Sequence, residues 1–230
     1  MPTYEALKGI AKSIYWKPTL VWAVDAVRVM KRIRTQTKGT KPLNYGGVYT
    51  SGRDPTKKKQ EPLNTLAIYT FLTGDPDPIT KVPGVEYQVR AHFEWNEHRP
   101  ELEKDRIAGK HYQIAQRSLG LGGRQDIFLG TRDCQGYVEP CEFGAGGGDY
   151  DGKGELGFGL MFHSFNYPDE TDVNTLGINL WRPLMVDGVI RFPRPQDCQV
   201  KEEVRQMLPK RFGLDLNLRD VATEAEELEV

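Results

Sequence analysis

The order of helix-like and strand-like segments along the chain is the feature that most constrains its fold. A first helix is predicted before Pro18, because four apolar residues recur at helical spacing: Leu7, Ile10, Ala11 and Ile14. A second, shorter helix is predicted over residues 107–119, and Gly120 ends it. Most other apolar segments alternate as strands do. Helix, strands, helix and then mostly strands predict an α+β fold with a largely antiparallel sheet.

The individual strands are predicted from alternation of apolar residues and from the turn residues that flank them. Their ranges are 20–33, 65–72, 85–95, 126–132 and 156–165. A hairpin is predicted over 184–192, because Asp187-Gly188 is the strongest turn signal in the chain. Loops are predicted over 44–62 and 73–84, and the glycine-rich segment 143–154 is expected to be a flexible loop.

The composition is that of a globular protein, with 38% apolar and 27% charged residues among 230. No apolar run is long enough to span a membrane, and Glu5 and Lys8 interrupt the segment where a secretory signal would be apolar. The three cysteines, Cys134, Cys141 and Cys198, are odd in number and scattered, which favours a reducing cytoplasm. We therefore expect a cytoplasmic protein with no membrane partner.

No cofactor or metal site is predicted. The chain has neither the Gly-x-x-x-x-Gly-Lys-Ser/Thr phosphate loop nor a His-Glu-x-x-His pair, and Cys134 and Cys141 lack the spacing of paired zinc ligands. Chemistry that needs a bound nucleotide cofactor therefore has no signature in this sequence.

The charges are distributed unevenly along the chain. Residues 1–60 carry thirteen Lys and Arg residues against three acidic ones, a balance of +10, whereas the rest carries eighteen against twenty-nine, a balance of −11. A basic N-terminal region can bind a polyanion while acidic surfaces elsewhere suppress non-specific binding. The alternative is a solvated basic face with no ligand.

The adjacent pair Lys110-His111 has the chemistry that phosphodiester cleavage needs. A histidine exchanges protons near neutral pH, and a lysine supplies a fixed positive charge for the phosphorane. Neighbouring residues on a helix point about 100° apart, so the pair can flank a phosphate only at a helix end or at the edge of a cleft. The alternative is a surface lysine beside a packed histidine.

Two further groups are candidates for contact with RNA. Tyr15 and Trp16 precede Lys17 at a helix end, where each ring either contacts a base or anchors the helix to the sheet. Around the Gly122-Gly123 pair, three arginines either hold a phosphate backbone or are ordinary surface residues: Arg117, Arg124 and Arg132.

These pieces together resemble one protein family, the repeat-processing proteins of type I-C CRISPR systems, which belong to the RAMP superfamily. The resemblance is carried by residues 2–10 and 13–18, and by Gly-Thr-Lys-Pro-Leu-Asn-Tyr-Gly-Gly at 39–47. It continues with Gly-Lys-His-Tyr at 109–112, Gln-Arg-Ser-Leu at 116–119 and Gly-Gly-Arg-Gln-Asp-Ile-Phe-Leu-Gly at 122–130. Further matching runs are 134–137, 165–170 and 192–195, so the resemblance extends from residue 2 to about residue 200.

The resemblance implies a ferredoxin-like (RRM-related) core with an antiparallel sheet over 1–132, and a smaller β-rich extension with an acidic tail over 133–230. It also implies metal-independent cleavage of CRISPR repeat RNA at the base of its hairpin, by attack of a 2′-OH that leaves a 2′,3′-cyclic phosphate. The enzyme would then stay on the 5′ handle of the mature crRNA as a subunit of the type I-C surveillance complex, beside its backbone and large subunits. Family members begin with a strand before the opening helix, whereas Met1 directly precedes that helix here, so the first strand of the sheet is expected to be missing.

The family's catalytic tyrosine, lysine and histidine fall on Tyr15, Lys110 and His111. We expect His111 to transfer a proton, Lys110 to stabilise the phosphorane, and Tyr15 to orient or help to deprotonate the 2′-OH. The residues expected to bind RNA are Lys8, Lys12, Lys31, Arg32, Arg34, Lys38, Lys41, Arg117 and Arg124. Two alternatives are a non-catalytic subunit that binds the crRNA 5′ handle and a generic basic RNA-binding module.

Overall fold

The structure is a computed structural model, and it describes residues 2–40, 67–72, 84–129, 135–171 and 173–209. It divides into two compact units, one formed by Met1–Lys31 with Glu86–Val230 and the other by Arg32–Val85. The helices are α1 (Tyr4–Ile14) and α2 (Ala108–Gly120), with short 3₁₀ helices at Pro100–Asp105, Pro168–Glu170 and Pro195–Asp197. The strands are β1 (Leu20–Val29), β2 (Thr35–Thr40), β3 (Ala67–Leu72), β4 (Tyr87–Trp95), β5 (Ile127–Phe128), β6 (Gln135–Gly136), β7 (Glu155–Gly157), β8 (Met161–Asn166), β9 (Thr175–Trp181), β10 (Leu184–Val186), β11 (Val189–Arg191) and β12 (Val200–Gln206).

The smaller unit contains one antiparallel ladder among the residues that the structure describes. Strand β2 pairs with β3, from Thr35 opposite Leu72 to Thr40 opposite Ala67. The strand predicted over 65–72 is therefore confirmed over 67–72, and residues 65 and 66 lie outside the described residues. The predicted loop over 44–62 and nearly all of the loop over 73–84 lie outside the described residues.

Helix α1 begins and ends for local reasons that the sequence contains. The Thr3 hydroxyl caps the first turn by accepting from the Ala6 amide at 3.2 Å, and Glu5 lies at the positive end of the helix dipole. The amide of Tyr15 closes the last turn on the Ala11 carbonyl, and Pro18 cannot extend it. Of the predicted apolar stripe, Leu7 is buried against the sheet, and this burial rather than propensity stabilises the helix.

The larger unit is built on a five-stranded antiparallel sheet of order β4-β1-β11-β10-β7. Val27 on β1 lies opposite Ile190 on β11, and both side chains are completely buried. Burying a side chain of this size contributes about 1.5–3 kcal/mol to stability. Every described strand pair is antiparallel, so the predicted α+β class is confirmed, and α1, β1, β4 and α2 follow one another as in the predicted ferredoxin-like core.

The predicted hairpin forms at the expected turn. Asp187 and Gly188 adopt φ values of 46° and 80°, which a glycine accepts readily and an aspartate accepts better than most residues. The hairpin strands β10 and β11 belong to the same sheet as β1 and β4. The boundary predicted at residue 132 falls within 130–134, outside the described residues, and it stays a prediction.

The glycine-rich segment 143–154, expected to be a flexible loop, is held to the central sheet by a buried arginine. Arg28 on β1 donates to both carboxylate oxygens of Asp151, at 2.9 and 2.8 Å, and to the carbonyls of Ala145 and Gly146. Gln88 on β4 donates to the Ala145 carbonyl at 2.7 Å. Local composition signalled a loop, and the side chains that anchor it come from distant strands.

A second antiparallel sheet, of order β12-β9-β8, packs near α1. His163 on β8 is fully buried and stacks on Tyr4 of α1 with ring centroids 4.3 Å apart. Its Nε2–H donates to the Pro193 carbonyl at 3.1 Å, so Nδ1 of the neutral ring accepts from the Ser164 hydroxyl at 2.8 Å. Burial lowers the pKa of His163 to about 4, because the charged ring would lose its hydration.

No helix among the described residues is long and apolar enough to cross a membrane.

Acid should destabilise the protein partly through His163. Between its ordinary pKa of 6.5 and its folded pKa of about 4, the unfolded chain binds more protons, so stability falls as the pH falls across this window. The loss should be on the order of 3 kcal/mol once the pH is below 4. His163→Gln cannot titrate, so its unfolding free energy in urea should change less between pH 7 and pH 4 than that of the wild type. His98→Gln, at an exposed position, is the control, and parallel pH curves for wild type and His163→Gln would contradict the prediction.

Candidate active site

The end of α1 and the first residues of β1 fix the position of Tyr15. The indole N–H of Trp22 donates to the Tyr15 carbonyl at 2.7 Å, which fixes the backbone where the helix stops. The Tyr15 side chain is only 1% exposed, whereas its neighbour Trp16 is 40% exposed. The sequence left open whether each ring contacts a base or anchors the helix to the sheet. Tyr15 is buried, as an anchor is, and its hydroxyl points towards α2.

His111 lies in the first turn of α2 and is completely buried. Its ring packs against Trp95 and Phe93 of β4, with centroids 5.7 and 6.5 Å away. The Tyr15 hydroxyl lies 2.7 Å from His111 Nδ1, and the Asp105 carbonyl oxygen lies 2.6 Å from Nε2. Because a carbonyl can only accept, Nε2 carries the hydrogen and Nδ1 of the neutral ring accepts from Tyr15.

Lys110 lies beside this network at the mouth of the site. Its ammonium donates to Asp105 Oδ1 at 2.6 Å, while its side chain remains 45% exposed. The hydrogen bonds from Lys110 and from the Thr19 hydroxyl lower the pKa of Asp105. The same hydrogen bond to Asp105 raises the pKa of Lys110. Both groups are therefore charged at neutral pH. Lys110 and His111 stand at the beginning of a helix, as the prediction for the pair required, but the exposed lysine beside a packed histidine is also the arrangement that the alternative described.

The Tyr15 hydroxyl is neutral at rest. Burial raises its pKa, as does the negative charge of Asp105, while Lys110 and Arg124 act in the opposite direction. A tyrosine of this kind gives up its proton only when another group takes it, and His111 Nδ1 is in place to do so.

A shallow groove of about 460 Å³ lies in front of Tyr15 and Lys110. Four cationic side chains line it, together with Tyr15, Ile114, Ser118 and Leu121: Lys17, Lys110, Arg117 and Arg124. The guanidinium of Arg124 lies 5.8 Å from the centre of the Tyr15 ring. An apolar floor with a cationic rim suits a nucleotide, whose base is flat and whose phosphates are anionic.

Two contacts between the helix ends hold the groove together. The Ser118 hydroxyl of α2 donates to the Ile14 carbonyl of α1 at 2.5 Å, and the Arg124 amide donates to the Ser13 carbonyl at 3.1 Å. These contacts join residues more than 100 positions apart in the chain. They place Arg117 and Arg124 beside Tyr15.

A larger cleft of about 580 Å³ lies elsewhere in the same unit and has a different charge. Its lining includes four acidic residues: Glu94, Glu170, Glu202 and Glu203. Its cations are engaged, since Lys8 pairs with Glu170, Arg194 with Glu94 at 2.6 Å, and Lys201 with the Gln196 carbonyl. This cleft suits a phosphate backbone less well than the smaller groove does.

Three other residues predicted to bind RNA lie in the larger unit and do not line the groove: Lys8, Lys12 and Lys31. Lys8 is buried in its pair with Glu170, and Lys12 pairs with the same carboxylate at 2.9 Å. Lys31 lies 3.7 Å from Glu86. Arg32, Arg34 and Lys38 belong to the smaller unit, and Lys41 lies outside the described residues.

Two residues of the site were not singled out from the sequence, Thr19 and Asp105, whereas Lys17 was named in its cluster with Tyr15 and Trp16. Asp105 comes just before α2, where a negative charge favours the helix dipole, and that position was an available signal. Thr19 had none, because a threonine before a strand is ordinary.

Among the described residues, no group of three or more His, Cys, Asp or Glu side chains is arranged to hold a metal ion.

The comparisons with known proteins agree with this antiparallel α+β fold, and they place it among CRISPR-associated proteins. Residues 1–193 match the model of the Cas5d-type family, described as CRISPR-associated protein (Cas5). A solved structure described as a CRISPR-associated protein is 30% identical, covers 88% of this chain and 84% of its own, and superposes with a TM-score of 0.66. The functionally uncharacterized protein SMU1763c from Streptococcus mutans is 32% identical, covers 88% of this chain and 85% of its own, also with a TM-score of 0.66. No curated protein matches the sequence significantly.

The chain belongs to the Cas5 family of CRISPR-associated proteins. Membership of this family supports a role in CRISPR defence as a subunit of a Cascade-type complex, in association with CRISPR RNA.

Proposed function

We propose that this protein is a metal-independent endoribonuclease of the type I-C subtype, which cleaves CRISPR repeat RNA at the base of its hairpin and then stays on the 5′ handle. The observation that carries the proposal is the hydrogen bond of 2.7 Å between the Tyr15 hydroxyl and His111, with the Lys110 ammonium beside it. Proton transfer and positive charge are the two contributions that phosphodiester cleavage by a 2′-OH requires.

The burial of His111 suggests a division of labour between it and Tyr15. His111 is enclosed, so in this proposal it acts through Tyr15, whose side chain lines the groove and whose buried hydroxyl becomes accessible to the 2′-OH when RNA binds. The 2′-OH gives its proton to the Tyr15 oxygen as the Tyr15 proton passes to His111 Nδ1. The 2′ oxygen then bonds to phosphorus, the bond from phosphorus to the 5′ oxygen breaks, and the departing 5′ oxygen takes a proton from water. The hydroxide that this leaves is neutralised when His111 gives its proton back through Tyr15. The products are a 2′,3′-cyclic phosphate and a 5′-OH.

Lys110 supplies the charge stabilisation in this proposal. Its ammonium is exposed at the groove and stays charged in its pair with Asp105. A fixed cation beside the phosphorus contributes more as the phosphorane gains negative charge than it does in the ground state.

RNA binding in this proposal uses the groove cations first. Arg117, Arg124 and Lys17 face the same space as Tyr15 and can contact the phosphates on either side of the cut. The basic sequence segment 31–41 supplies further cations that can contact the hairpin: Lys31, Arg32, Arg34, Lys38 and Lys41. Specificity then comes from the shape of the hairpin and from a few unpaired bases.

The test is incubation with the cognate repeat RNA in excess EDTA. We expect cleavage at one position, with a cyclic phosphate on the 5′ product, because the reactive groups of the proposal are all side chains. Binding of the RNA without cleavage, with or without magnesium, would instead identify a non-catalytic subunit that holds the 5′ handle. Strict dependence on magnesium would contradict the metal-independent mechanism.

A further inference from the structure

We propose that Asp105 is the positioning residue of this site: its carbonyl sets the tautomer of His111, and its carboxylate both holds Lys110 and stabilises protonated His111. The inference rests on the proposed function, which gives Tyr15, His111 and Lys110 their roles. It adds a residue that contacts two of them and lies outside the groove lining.

The backbone of Asp105 makes the first connection. Its carbonyl oxygen accepts from the Ile107 amide at 2.8 Å and from His111 Nε2–H at 2.6 Å, so both lone pairs are used. With Nε2 committed as a donor, the neutral ring has its free lone pair on Nδ1, where it faces the Tyr15 hydroxyl. The tautomer required of a proton acceptor is therefore the one that the backbone selects.

The carboxylate of Asp105 makes the second connection. One oxygen accepts from Lys110 at 2.6 Å, and the other accepts from the Thr19 hydroxyl at 3.0 Å and lies 3.5 Å from His111 Nε2. When His111 takes the Tyr15 proton, a positive charge forms inside the protein, where it has no contact with water. A carboxylate at this distance offsets the cost of burying that charge.

The charged and titratable groups around His111 define what the carboxylate contributes. Tyr15 faces the ring from the end of α1, Lys110 and Asp105 flank it on the side of α2, and Arg124 lies over Tyr15. Lys110 and Arg124 are cations and Tyr15 is neutral, so Asp105 is the single anion among these groups. Its removal should disfavour protonated His111 and release the Lys110 ammonium from its fixed position.

The experiment is a single-turnover pH–rate profile for Asp105→Asn, which keeps the carbonyl and the shape but removes the charge. We expect the maximal rate to fall about 10- to 100-fold with KM changed by less than about threefold, because orientation and charge act on the chemical step. The acid limb of the profile should move to lower pH, since a proton on His111 no longer faces a carboxylate. Asp105→Glu should recover part of the rate.

Glu103→Gln is the matched control, because it removes a carboxylate from an exposed position of the same 3₁₀ helix and should leave rate and profile unchanged. A wild-type rate or an unshifted profile in Asp105→Asn would overturn the inference. A faster rate would also overturn it, by showing that Asp105 withholds Lys110 from the phosphate.

A readout that needs no cleavage separates this inference from the proposed function. The chain has four histidines, and His111→Gln identifies the NMR signals of His111. The titration midpoint of His111 should lie at lower pH in Asp105→Asn than in the wild type. If the wild type bound repeat RNA without cutting it, the proposed function would fail, while this midpoint would still decide the role of Asp105.

Discussion

A repeat RNA with one 2′-deoxyribose on the nucleotide 5′ to the cut should stay intact when it is mixed with this protein. In the proposed reaction the 2′ oxygen is the nucleophile, so its removal leaves no group to attack the phosphorus. The rate should fall to the uncatalysed background, which is the largest effect that we expect. The position of the cut is first mapped on all-ribose RNA, and the modified RNA is then followed by gel electrophoresis.

Binding should be almost unchanged by this modification, because phosphate contacts dominate affinity for RNA. The same deoxyribose placed one nucleotide further along the strand is the control and should be cleaved normally. Cleavage of the first modified RNA at the wild-type position would show that water or another nucleophile attacks, and the role proposed for Tyr15 would then be wrong.

Replacing either partner of the bond between Tyr15 and His111 should have the second-largest effect. Tyr15→Phe removes one oxygen and with it the path of the proton to His111, and His111→Gln removes the acceptor. General acid–base catalysis contributes about 10²- to 10⁴-fold, so each variant should lose at least about 100-fold in single-turnover rate. Their affinity for the repeat should remain close to that of the wild type.

Stability must be measured beside activity, because both side chains are buried. Tyr15→Phe leaves His111 Nδ1 without its donor, which costs about 1–3 kcal/mol, so the assay is run well below the melting temperature of each variant. Tyr112→Phe and His98→Gln make the same chemical changes at exposed positions. A folded Tyr15→Phe that cleaves at the rate of Tyr112→Phe would contradict the mechanism.

Several features of the fold follow from the sequence because their causes are local. Thr3 marks the beginning of α1 and Pro18 limits its end, and the apolar residues between them recur at helical spacing. Asp187 and Gly188 form the predicted hairpin because few other residue pairs accept positive φ values. The resemblance also identified Tyr15, Lys110 and His111, and the structure brings the three side chains together within one hydrogen-bonded network.

The tertiary structure alone decided which charged and aromatic side chains face solvent. Lys8 and Lys12 look like phosphate contacts in the sequence, but Glu170 of a distant 3₁₀ helix pairs with both. Composition predicted a flexible segment over 143–154, and Arg28 on β1 anchors it. A charge in the sequence does not specify its partner, because the partner is brought near only when separate elements pack.

The same reasoning explains the arrangement of the candidate site. The sequence by itself determined which residue types are present, and so the class of chemistry: a tyrosine, a lysine and a histidine, with arginines nearby. Packing of α2 against β4 decided that His111 is enclosed and that Tyr15 stands between it and the groove. It also brought Asp105 within hydrogen-bond distance of Lys110 and His111. Proton transfer depends on distances of less than about 3 Å, and such distances between residues far apart in the chain are set by the fold, not by the order of the residues.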